Sequence, residues 1–160
     1  SYIELGMKYQ VGSAYENMFT PYNRSVVVRY CQHPDELAEL VDSYGSQKVG
    51  VCWDFGHANE AKLDQPWSLR RLGKRIKNLH INDNSGTRDE HLLPFLGTVD
   101  WFSVIPVLAE IGYDGDLAFE AGQMTRKAAR GIQDVYVEAA VKCGKFLMQI
   151  YEEAKEKQGV

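Results

Sequence analysis

No run of apolar residues in this 160-residue chain approaches the roughly 20 needed to cross a bilayer, so a membrane-spanning helix is not expected. The opening Ser1 to Gln10 carries Glu4 and Lys8 where a secretory leader would be apolar, and a cytoplasmic location is the expectation. Cysteine is scarce. Cys31, Cys52 and Cys143 are an odd number at wide spacings, which indicates neither a disulfide framework nor a cysteine zinc site. Basic charge is also short: Lys and Arg total 18 against 22 Asp and Glu, a net charge of −4, with no stretch dense enough to track a phosphate backbone. Nucleic acid is therefore not the expected partner. Length itself is lacking for one architecture, since a complete eight-stranded α/β barrel takes roughly 250 residues.

What is present is the profile of a globular domain with a real core: 44% hydrophobic residues, 25% charged, and no low-complexity tract or linker. Four segments read as strands, Val11 to Glu16, Lys48 to Asp54, Ile76 to Asn82 and Asp116 to Glu120. Helical patterns follow them. His33-Pro34-Asp35-Glu36 announces a helix on which Leu37, Leu40, Val41 and Tyr44 recur at helical spacing until Gly45. A short helix is expected from Pro66 to Leu72. Another starts at the Asp100 cap and stops at Gly112, with Pro106 expected to kink it or shorten its first turns. The last runs from Ile132 to Lys157, and Ser1 to Tyr9 reads as the end of a helix. Strand alternating with helix is the pattern of a parallel α/β sheet.

Alternation within the strands sharpens this. Val49, Val51 and Trp53 share one face of the second strand, Leu79 and Ile81 one face of the third, Leu117 and Phe119 one face of the fourth. The opposite faces are small or polar and end in Glu16, Asp54, His80 and Glu120. One bulky face suits a layer of helices; a small polar face with ionisable tips suits the lumen of a barrel wall. Three carboxylates and an imidazole converging at strand ends would repel one another without a cation, so a divalent metal (Mn, Mg, Co or Zn) is the expected cofactor. His57, and Asp89 with His91 in the long third loop, fall in the same neighbourhood, whereas His33 before Pro34 reads as structural.

These residues resemble a known family, the xylose isomerase-like barrel proteins grouped as sugar phosphate isomerases/epimerases and related to endonuclease IV. The resemblance is carried by Ala14-Tyr15-Glu16-Asn17-Met18, by Val49 through His57, and by Leu79-His80-Ile81-Asn82-Asp83-Asn84. It continues in Asp89-Glu90-His91 through Leu96-Gly97-Thr98-Val99-Asp100-Trp101, and in Gly112-Tyr113-Asp114-Gly115 leading to Phe119-Glu120. It implies a (β/α) barrel of TIM type, of which residues 1–160 supply about four βα units as one domain: a half-barrel equivalent to strands five to eight, with the N-terminal half absent.

The resemblance further implies that Glu16, Asp54, His80 and Glu120 are metal ligands. Glu16 and Glu120 would be the general acid/base pair of a sugar or sugar phosphate isomerase/epimerase working through an enediolate. His57 would bind substrate or, with Asp89 and His91, a second metal; Arg88 is a candidate anchor for a hydroxyl or phosphate. Dehydratases resemble the same branch. The alternatives are an endonuclease IV-like zinc phosphodiesterase acting on abasic DNA, and a half-barrel inactive alone. Two open sheet edges favour a homo-oligomer or a complementing half-barrel as partner.

Overall fold

A computed structural model describes residues 2–20 and 29–159. It contains a four-stranded parallel sheet in the order β1-β2-β3-β4, with β1 at Ser13–Glu16, β2 at Val49–Asp54, β3 at Ile76–Ile81 and β4 at Ala118–Phe119. The connections are helical: α1 (Tyr2–Tyr9) precedes β1, α2 (Pro34–Ser43) joins β1 to β2, and α3 (Phe55–Glu60) and α4 (Gln65–Leu72) lead to β3. Then α5 (Trp101–Glu110) leads to β4, followed by α6 (Gly122–Lys127) and α7 (Gln133–Gln158). None of these helices is long and apolar enough to cross a membrane.

The bulky strand faces do pack under helices. Val51, Trp53, Leu79 and Ile81 are fully buried against Leu37 of α2, Leu69 and Leu72 of α4, Leu108 of α5 and Leu147 of α7. Burying side chains of this size stabilises by roughly 1.5–3 kcal/mol each, so this layer, more than the polar loops, holds the sheet in place. Asp100 caps its helix as expected, accepting from Ser103 N at 3.2 Å, and Asp64, not singled out in the sequence, caps α4 by accepting from Trp67 N at 3.0 Å.

Several boundaries differ from the sequence expectation. β1 begins at Ser13 and β4 has only two residues, because β4 is an edge strand with one neighbour to pair with. Residues 55–60, between the strand ending at Asp54 and the helix expected from Pro66, form α3, since Asp54 at the end of β2 caps it by accepting from His57 N at 2.7 Å. α6 was likewise not expected. α5 passes through Pro106 without stopping; its ring removes one backbone donor, and the carbonyl four residues earlier belongs to exposed Phe102. Ser1 lies outside the described residues.

One irregularity matters for the site. Along β2 and β3, Val51 pairs with Ile76, but Cys52 pairs with Asn78, so β3 contains one extra residue at Lys77. Beyond it, Trp53 lies beside Leu79 and Asp54 beside His80.

Candidate metal centre

The small polar strand faces converge at the C-terminal edge of the sheet. Glu16 ends β1, Asp54 ends β2, His80 is the fifth residue of β3, and Glu120 follows β4 directly. Their ligand atoms lie within 4.8 Å of one another, a spacing that could hold a metal ion. His80 Nδ1 is the hub: it is 3.0 Å from Glu120 Oε2, 3.2 Å from Glu16 Oε1 and 3.7 Å from Asp54 Oδ2.

The four differ in depth. The Asp54 side chain is 0% exposed, those of His80 and Glu16 are 26% and 30%, and that of Glu120 is 46%. Burial pushes the Asp54 carboxyl up to about 6, against the pull of nearby His57 and of hydrogen bonds from His57 N and Asn82. Asp54 Oδ1 accepts from His57 N at 2.7 Å and Oδ2 from Asn82 Nδ2 at 2.7 Å. Each carboxylate oxygen keeps a second lone pair. Three carboxylates and one imidazole nitrogen, one carboxylate being held against its preference for solvent, fit a divalent cation.

Asn17 and Asn82 escaped the sequence reading. Asn17 joins the ends of β1 and β2 by donating from Nδ2 to Asp54 O at 2.9 Å and accepting from Asp54 N at 2.6 Å. Asn82 presses so close to Gly56 that a Cβ there would overlap its amide oxygen. Asp83 was missed as well. Its fully buried carboxylate accepts from the backbone N of Asn84 (2.8 Å), Phe95 (3.1 Å) and Val99 (3.1 Å) and from Trp101 Nε1 (2.9 Å), which ties the long loop 82–100 to the strand end. The available signal was the run Asn82-Asp83-Asn84 straight after a buried strand, where unpartnered polar groups would be costly.

The other predicted site residues divide. His57, buried beside Phe19 with ring centroids 4.8 Å apart, points Nδ1 at Asn17 O (2.9 Å) and Glu16 Oε1 (3.2 Å), both acceptors, so Nδ1 carries a proton. Burial lowers the affinity of His57 for a second proton, yet the Glu16 bond, the Asp54 charge and the Asn17 carbonyl outweigh it and raise its pKa to about 9. The same bond from His57 holds the Glu16 carboxyl below its ordinary range. Asp89 bridges two histidines, its Oδ2 3.9 Å from His57 Nε2 and its Oδ1 3.1 Å from His91 Nε2. Among the described residues, however, the Glu16–Asp54–His80–Glu120 group is the one that gathers its ligand atoms. Arg88 is exposed in the same loop.

Residues 2–141 match the family described as xylose isomerase-like TIM barrel. The uncharacterized protein MJ1311 of Methanocaldococcus jannaschii is 34% identical over 120 residues, which are 74% of this chain and 39% of that protein. The uncharacterized protein y4fM of Sinorhizobium fredii is 41% identical over 83 residues, 52% of this chain and 27% of that one. Among solved structures, a D-tagatose 3-epimerase-like protein superposes with a TM-score of 0.72 at 30% identity, covering 97% of this chain and 52% of its own. An L-ribulose 3-epimerase has a TM-score of 0.73 at 17% identity, covering 98% and 52%, which speaks to the fold alone. The chain thus spans about half the length of these barrels and less than half of the curated relatives. The chain belongs to the xylose isomerase-like TIM barrel family.

Proposed function

We propose that this chain carries the metal-binding half of a sugar or sugar phosphate isomerase/epimerase site. The observation that carries the reading is the approach of His80 Nδ1 to three strand-end carboxylates within 3.0–3.7 Å. Similarity to a D-tagatose 3-epimerase-like structure at 30% identity supports the substrate class. Glu16, Asp54, His80 and Glu120 would hold a divalent cation, which supplies Lewis acidity to the carbonyl and neighbouring hydroxyl of a sugar.

Glu16 and Glu120 flank His80 on opposite sides, and each has a second carboxylate oxygen free of ligand duty. One takes the proton from the carbon next to the carbonyl, leaving an enediolate; the other returns a proton. Return to the opposite face of the same carbon is epimerisation, and return to the neighbouring carbon is aldose–ketose isomerisation. His57, with Nδ1 committed to Asn17 and Glu16, offers Nε2 to a substrate oxygen. Arg88 would meet a hydroxyl or phosphate from the loop.

The test is incubation of the protein with Mn²⁺ and a panel of ketoses and their phosphates in D₂O. Deuterium is expected beside the carbonyl and is expected to vanish in Glu120→Gln. Bound metal without exchange on any sugar overturns the reading. The second reading, a zinc phosphodiesterase on abasic DNA, draws on the His57–Asp89–His91 chain of contacts and is opposed by the net charge of −4. Cleavage of an abasic duplex would favour it. The open edges of β1 and β4 also call for a covering partner, another copy or a complementing half-barrel, which the mass in solution measures.

A further inference from the structure

Glu120 is the most exposed member of the group and follows a strand of only two residues. On its N-terminal side the peptide is anchored, since Glu120 N donates to Ile81 O at 3.1 Å. On its C-terminal side α6 begins at once, with no side chain capping its first turn. Among the described residues, His91 supplies a further anchor. Its Nδ1 lies 2.7 Å from Glu120 O, and because a carbonyl oxygen only accepts, Nδ1 is the donor.

His91 is itself held in a conformation few residues adopt, at φ 52°. The clamp is the pair of bonds on its C-terminal side, Asp83 N to Leu92 O at 2.9 Å and Leu92 N to Asp83 O at 2.8 Å. Asp83 also fixes the loop beyond through its buried carboxylate. On the other side of the ring, Asp89 Oδ1 meets Nε2 at 3.1 Å and sets its orientation. A rigid path therefore runs from the end of β3, through residues 83–92, to the backbone of a ligand on β4. Strain of this kind persists only where its surroundings over-determine it.

We propose that His91 is a positioning residue, which sets Glu120 in the ligand group by holding the Glu120 carbonyl rather than by touching its side chain. The inference rests on the metal reading above and deepens it. It also separates the roles of the two ring nitrogens: Nδ1 aligns Glu120, and Nε2 keeps the ring in place through Asp89.

Mn²⁺ titration at one pH, with urea midpoints as the check on folding, tests it. The side-chain amide nitrogen of Asn reproduces the place of Nδ1, and Asn tolerates positive φ; that of Gln reproduces Nε2. Relative to the parent, His91→Ala, His91→Gln and His91→Gly are expected to bind Mn²⁺ about tenfold more weakly, and His91→Asn within about threefold. In a Glu120→Gln background, His91→Ala is expected to add no further loss. Equal affinity in His91→Ala overturns the inference. So does a tight Gln variant beside a weak Asn variant, a full additional loss in the Glu120→Gln background, or a second bound Mn²⁺ that disappears with His91. A parent chain that binds no Mn²⁺ overturns the metal reading itself, and is distinguished from the other failures by that first titration.

Discussion

Asp54 and Glu120 stand on two sides of one imidazole and are held in opposite ways. Asp54 sits at the end of a six-residue strand with every residue buried, bound by Asn17 through its backbone and by Asn82 and His57 N through its carboxylate. Glu120 follows a two-residue edge strand and relies on a histidine contributed by a loop. The central side of the site is positioned by depth, the edge side by tethering. Burial has its own penalty, which shows in the raised pKa of Asp54. In the proposed mechanism, exposure would let Glu120 change partner between metal and proton, as an acid/base group must.

The contrast is most sharply broken at Asp54. Asp54→Asn is expected to abolish Mn²⁺ binding by calorimetry, while changing the metal-free stability at pH 8 by less than about 1 kcal/mol. The reason is that Asn82 Oδ1 has no partner of its own and would accept from the new amide after a flip. Severe unfolding of this variant would mean the carboxylate is structural. Gly56→Ala comes next. Its Cβ would displace Asn82, and the expected loss is about 1–3 kcal/mol in urea unfolding together with weaker metal binding, since Asn82 orients Asp54.

A pH series separates the two regimes. Asp54 has its folded pKa raised from 3.8 to about 6, so its contribution is fully present below the lower value and lost as pH rises to about 6. His57 is raised from 6.5 to about 9, so its contribution is fully present below 6.5 and lost as pH rises through about 9. In EDTA the urea midpoint should therefore fall in two waves, roughly pH 4 to 6 and 6.5 to 9, and His57→Gln should remove the second. Saturating Mn²⁺ should flatten the first. A single monotonic wave insensitive to His57 would reject the assignment. The smallest effect is expected at Arg88. Arg88→Ala should leave stability within about 0.5 kcal/mol and Mn²⁺ affinity unchanged, with any kinetic change confined to KM for the sugar.

The central side of the site was also the more legible in sequence. Lys48 to Asp54 reads as a buried strand from composition alone, and the period-two alternation places Glu16, Asp54, His80 and Glu120 on one face without any tertiary knowledge. The supporting shell was not legible. Asn17, Asn82 and Asp83 act across 28 or 37 positions of sequence, or on a loop whose path depends on them. β4 was overextended because Asp116 to Glu120 alternates like a strand, although an edge position with a single neighbour pairs only two of its residues. His91 was read as a possible ligand; its bond to the Glu120 carbonyl depends on a turn that no spacing rule encodes.

The extra residue at Lys77 carries a wider consequence. Were Lys77 paired with Cys52 instead of bulged, Leu79 would stand level with Asp54, and the imidazole of His80 would turn toward the helices. The ligand set is thus written partly in arithmetic. All four candidate ligands could be present letter for letter in a chain whose β3 paired without the bulge, and the site would still be out of phase. Deleting Lys77 removes only the bulge and keeps Asn78 beside Cys52 and His80 beside Asp54, so Mn²⁺ binding is expected to survive the deletion, and its loss would show that the bulge itself aims the imidazole.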